Sequence, residues 1–190
     1  MYKRIVLSII LLLIIGGFYL LVSNPFRKIP PDGVPNDYFD QIEILSKLSI
    51  DITIYGKTVN LPKEIKYKEV DELSIEGIVS YKTYKFLIID MSDIDSITHE
   101  ELEVIKELYY EYCYNIFILE LGNKYIYFDD LINIEDRGEK FIMLKYDICG
   151  GYYHCGSLKN PYYTSNQKQY AILDMMVRTI KDLNKVKYND

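Results

Sequence analysis

Apolar and polar positions change period several times along the chain, and each period predicts a different element. From Ile5 to Val22, IVLSIILLLIIGGFYLLV is an uncharged apolar run, long enough to cross roughly 30 Å of hydrocarbon as a helix. NDYFDQIEILSKL (Asn36 to Leu48) spaces Phe39, Ile42, Leu45 and Leu48 along one face, which predicts a short amphipathic helix. ITIYGKTVNLP then predicts a hairpin turning at Gly56-Lys57. With Tyr55 opposite Thr58, Ile54 opposes Val59 and Ile52 opposes Leu61, so four aliphatic side chains share one face.

The most informative stretch is KFLIIDMSDIDSITHEELEVIKELYYEYCYNIFILELG. Phe86 to Ile89 form the continuous apolar run of a strand buried on both faces. Thr98 and Glu101 fit a capping box, with Ile97 and Leu102 as its hydrophobic staple, so a helix starts there. Leu102, Ile105, Tyr109 and Cys113 recur on its inner side, and Ile116 to Leu119 supply a second buried strand. The unit predicted is a β-α-β crossover, parallel and right-handed by the rule for such connections. Phe141 to Ile148 predict another strand. Asn166 to Val186 predict a closing helix whose Leu173, Met176, Val177, Ile180 and Leu183 form an apolar stripe suited to cover a sheet. The expected fold class is α/β: an N-terminal single transmembrane helix followed by one small α/β sandwich with a mixed sheet.

Three segments follow from these patterns. Residues 1–22 are expected to be a membrane anchor with a short cytoplasmic tail, 23–35 a stalk, and 36–190 the α/β domain. The apolar run exceeds the roughly 7–15 residues of a signal-peptide core, and SNPFRK after it offers no small-x-small cleavage site, which favours retention over cleavage. Pro25, Pro30, Pro31 and Pro35 favour extended backbone in the stalk. The lipid bilayer is therefore the expected partner of Ile5 to Val22. The expected location is the cell membrane, single-pass, with the C-terminal domain extracytoplasmic, because a tail this short stays inside more often than not.

Charge narrows the partners further. Four of the 22 basic residues, Lys3, Arg4, Arg27 and Lys28, precede residue 29, leaving 18 against all 28 acidic ones, or about −10 for the rest of the chain. Such a domain is repelled by phosphate backbones, so nucleic acid is not an expected partner. The 20 tyrosines accompany a single alanine, Ala171, and read as compositional bias rather than as a sugar or peptide surface.

FLIID (Phe86 to Asp90), ITHEE (Ile97 to Glu101) and IFIL (Ile116 to Leu119) together resemble the crossover of glutamine-amidotransferase-like α/β domains. In those domains an apolar strand ends in Asp, and a loop leads to Leu-Thr-x-Glu-Glu before a helix and a second strand. The resemblance covers roughly a fifth of the chain and implies an α/β fold. Many relatives of that fold are non-catalytic. ELGN (Glu120 to Asn123) stands where the catalytic pattern has a Gly-x-Cys-x-Gly elbow, so no amidotransferase activity is implied.

Two clusters remain as candidate chemistry. Asp90, Asp93 and Asp95 fall where the strand's C-terminal end is expected, the ligand side of an open parallel sheet, and carboxylates there could hold Mg²⁺ or Ca²⁺. Ile97 and Thr98 break the calcium-loop spacing, so solvated or helix-capping carboxylates are the plainer reading. His99, in the first helical turn, is expected at the surface. In DICGGYYHCG, a two-residue turn at Gly150-Gly151 sets Cys149 and Cys155 on opposite faces, which disfavours a disulfide or shared zinc. The same register gathers Asp147, Cys149 and His154 on one face, the outline of a thiol active site without identifiable oxyanion donors. A three-residue loop would change those faces. No metal or cofactor is expected. The function expected is a membrane-tethered, non-catalytic binding or interaction module at the cell envelope; the alternative is a small thiol-dependent hydrolase or transferase using Cys149 and His154.

Overall fold

A computed structural model describes residues 28–56, 59–128, 131, 141–144 and 164–187. The chain divides into two compact units, Met1–Pro31 and Asp32–Asp190. In the first, residues 28–31 are irregular. The second holds the elements α1 (Tyr38–Lys47), β1 (Ile50–Tyr55), β2 (Lys68–Val70), α2 (Ile75–Ile78), β3 (Tyr84–Asp90), α3 (His99–Tyr110), β4 (Asn115–Leu119), a 3-10 helix (Gly122–Phe128), β5 (Phe141–Leu144) and α4 (Ser165–Lys187).

The five strands form one sheet in the order β2-β1-β3-β4-β5. The first four run parallel, and β5 pairs antiparallel with β4. Both faces are buried, for the reason visible in the apolar runs: alternate residues of one strand serve opposite cores. Ile52, Ile54, Phe86, Ile88, Phe117 and Leu119 pack with α1 and α4, where Leu173, Met176, Val177 and Ile180 form the covering stripe. Leu87, Ile89, Ile116 and Ile118 pack on the other side with Ile105, Leu108 and Tyr109 of α3 and Phe128 of the 3-10 helix. The parallel β3-α3-β4 crossover is present, with Phe86 to Ile89 and Ile116 to Leu119 fully buried. Its helix ends at Tyr110, before Cys113, which adopts the left-handed φ of 58°.

Two expectations are corrected. The expected hairpin at Gly56-Lys57 does not form, because both edges of β1 are occupied by the parallel strands β2 and β3. Val59 and Leu61 still join Ile52 and Ile54 in one core, so the shared face survives while the pairing does not. The second correction concerns the transmembrane helix in the expected fold class. Among the described residues no helix is long and apolar enough to cross a membrane, which leaves the single-pass, cell-membrane assignment and the extracytoplasmic placement without support there. Even the 23-residue α4 carries Lys168, Asp174, Arg178, Lys181 and Asp182 beside its apolar stripe, so it covers a sheet rather than entering hydrocarbon. Ile5 to Val22 lies outside the described residues.

Candidate functional site at the C-terminal end of the sheet

The strand order has one reversal. The chain leaves β1 towards β2 on one side, returns to β3 on the other, and continues to β4. In open parallel sheets the crevice at such a reversal, beyond the strands' C-terminal ends, is the usual ligand position. Here it lies between the ends of β1 and β3, at Gly56 and Asp90. Gly56 has φ +104°, and a Cβ built on it would stand 2.6 Å from the Asp90 carbonyl oxygen. Only a residue without a side chain lets the exit of β1 cross the end of β3 so closely.

Asp90 ends β3 fully buried, on the face turned towards α4. Its carboxylate accepts hydrogen bonds from the Ser92 amide at 3.0 Å and the Ser92 hydroxyl at 2.6 Å. The Lys168 ammonium of α4 lies 2.8 Å away and reaches Glu120 at 3.6 Å. Removing a carboxylate from water costs several kcal/mol, on the order of what one well-placed cation and two hydrogen bonds return. The pair therefore ties α4 to the sheet. Glu120 directly follows β4 and holds φ 53°, a left-handed conformation that costs a non-glycine residue about 1–2 kcal/mol.

The opposite face of the same edge opens as a cleft of about 650 Å³ lined by Tyr55, Gly56, Val70, Asp71, Asp93 and Ile94. Tyr55, the last residue of β1, donates its hydroxyl proton to Glu101 Oε1 at 2.6 Å. Glu101 also closes the capping box of α3: its other oxygen accepts from the Thr98 amide at 2.8 Å, and its own amide donates to Thr98 Oγ1. Burial, the bond to Glu101 and the charges of Glu101 and Glu72 push Tyr55 up to about 12. For Glu101, burial pushes the pKa up, but the bonds from Tyr55 and Thr98 outweigh it and hold the carboxyl below its ordinary value. Lys124 of the 3-10 helix donates to the carbonyls of Met91 at 2.6 Å and Ile94 at 2.5 Å, pinning the segment that walls the cleft.

The residues singled out in the sequence are placed unequally. Asp90, Asp93 and Asp95 do not converge: Asp90 is buried under α4, whereas Asp93 and Asp95 are exposed on the segment after β3. Among the described residues no group of three His, Cys, Asp or Glu side chains is arranged to hold a metal. His99 is exposed. Asp147, Cys149, His154 and Cys155 lie outside the described residues. Pattern reading put Gly56 in a hairpin turn rather than at this crossing, marked Glu120 only as a break in the catalytic pattern, and missed Lys168, Lys124 and the Tyr55 to Glu101 bond. Each meets its partner across a long stretch of sequence, and the two lysines carry no local signal beyond a polar position in a helix.

Fold and crevice together define an open, doubly wound α/β domain with a polar edge. No protein-family model, curated protein or solved structure matches the chain.

Proposed function

We propose that this domain is a non-catalytic binding or interaction module that receives its ligand or partner at the cleft beside Tyr55 and Gly56. The observation that carries the reading is the commitment of Asp90, Glu101 and Lys124 at that edge to structural partners, while Asp71 and Asp93, which line the cleft, are exposed to water. Asp90 is engaged by Ser92 and Lys168, Glu101 by Tyr55 and Thr98, and Lys124 by two backbone carbonyls. A general acid or base has to exchange protons with a substrate, and groups held this way serve shape instead. The resemblance of residues 86–119 to glutamine-amidotransferase-like domains supports the same reading, since Glu120 follows the second strand where that catalytic pattern places its elbow.

Thiol chemistry on the full-length protein tests the proposal. Cys149 is expected to react with iodoacetamide at neutral pH no faster than an ordinary cysteine, and His154→Ala is expected to leave the rate unchanged. A hyper-reactive Cys149 whose reactivity collapses in His154→Ala would replace the binding module with a thiol hydrolase or transferase. In a ligand screen followed by NMR, the first resonances to shift are expected to be those of Tyr55, Gly56, Val70 and Ile94; shifts mapping elsewhere would remove the cleft as the site.

A further inference from the structure

One wall of the cleft, at Asp93 and Ile94, belongs to a strap, residues 92–98, that leaves β3 at the buried Asp90 and joins α3 at its N-cap Thr98. Its fastenings are side chains. At one end the Ser92 amide and hydroxyl bond to Asp90. In the middle Lys124 reaches across from the 3-10 helix to the Ile94 carbonyl, and also holds that of Met91, just before the strap. At the other end the Thr98 amide bonds to Glu101, whose second oxygen is held by Tyr55 from β1. Ile97 alone is buried along its length, against Ile105 and its neighbours; Ser92, Asp93, Asp95 and Ser96 are exposed. Ile94 is half-buried against the same cluster. Backbone that rests on a few side-chain bonds and two apolar contacts opens at far lower free energy than the strands beneath it.

We propose that residues 92–98 form a lid over the cleft that opens as one unit, with Tyr55 and Lys124 as its latches. Its role as a lid rests on the cleft being the binding site; its opening does not, and can be read without a ligand. Tyr55 both lines the cleft and holds Glu101, so a ligand that takes the tyrosine hydroxyl competes with the latch, and by linkage an open lid changes the affinity for that ligand.

Amide hydrogen exchange on the full-length protein, followed by NMR, provides the test. Four amides report on the strap because each is bonded in the closed form: Ser92, Thr98, Glu101 and Leu102. If the lid opens as a unit, Tyr55→Phe accelerates exchange at Ser92, far from the lost hydroxyl, and Lys124→Met accelerates exchange at Thr98. Each acceleration is expected to be about 10-fold, while Leu87 to Ile89 in β3 exchange as before. Acceleration confined to the end nearest each substitution would overturn the single unit. Equal acceleration in β3 would show general loosening and overturn the lid, as would unchanged exchange in both variants. A ligand that fills the cleft with no change at Thr98 or Ser92 would overturn the coupling while leaving the binding module standing. Failure of every ligand to bind, with the lid opening as stated, would remove the binding reading alone.

Discussion

At the scale of single residues, tyrosine in this protein works through its two ends. Tyr114 is fully buried, and its hydroxyl lies 2.8 Å from the Ile78 carbonyl, so the ring fills core while the oxygen keeps a partner. Tyr55 and Tyr170 each donate to a carboxylate, Glu101 and Asp37 respectively, and both are pushed up to about 12, with burial as the leading cause. The protonated phenol is favoured in the folded state over an ordinary value of 10.0. Their contribution is therefore complete below about pH 10 and is lost progressively as pH rises towards 12. Glu101 works in the opposite sense. Its lowered folded value contributes stability above the ordinary glutamate range, and that contribution disappears as pH falls through the folded value. Chemical denaturation across pH is expected to show the alkaline loss reduced in a Tyr55→Phe, Tyr170→Phe double variant and the acid loss reduced in Glu101→Gln. Profiles identical to wild type would contradict these assignments. Sequence marked Glu101 as a cap through the local Thr-x-x-Glu spacing; it could not mark Tyr55, because the bond spans 46 positions.

At the scale of elements, α3 shows how local and tertiary signals divide the stability. Its start is set by the capping box, and Thr98→Ala is expected to cost on the order of 1 kcal/mol. Its position is set by Ile105, fully buried against the sheet. Ile105→Asp both discards the roughly 1.5–3 kcal/mol of a buried aliphatic side chain and leaves a carboxylate without water or partner. Urea melts of the two variants are expected to separate widely, with the aspartate variant unfolded or close to it; equal midpoints would contradict the helix packing. The hairpin expected after β1 teaches the complementary point. Alternation correctly placed Ile52, Ile54, Val59 and Leu61 on one core, yet period-2 patterning carries no information on which neighbour a strand edge will meet.

At the scale of the whole molecule, the reversal of strand order brings the ends of β1 and β3 together, and Gly56 is where that crossing is tightest. Gly56→Ala adds a Cβ 2.6 Å from backbone at a φ of +104°, neither of which can relax without moving a strand end. The expected loss is about 1–3 kcal/mol, the usual cost of holding a residue in a sparsely populated conformation. Gly33 is the control: it also has positive φ, +76°, but its added Cβ would meet the amide end of Gln167, a side chain able to swing aside. Gly33→Ala is expected to cost clearly less in the same denaturant titration, and a reversed order would show that crowding at the crevice is not what demands glycine.

The sequence by itself determined the α/β class, the crossover from Phe86 to Leu119, the start of α3 and the inner faces of α1 and α4. These rest on periodicity and capping, and both act within a few residues along the chain. Tertiary structure decided that β1 has two parallel neighbours, that Asp90 is buried against Lys168 while Asp93 and Asp95 face water, and that Tyr55 holds the N-cap of α3. Those outcomes depend on strand order and helix packing, which bring together residues 15 to 78 positions apart. A charged or polar side chain reads the same in sequence whether it ends in solvent or is matched to a distant partner, and only the fold distinguishes the two.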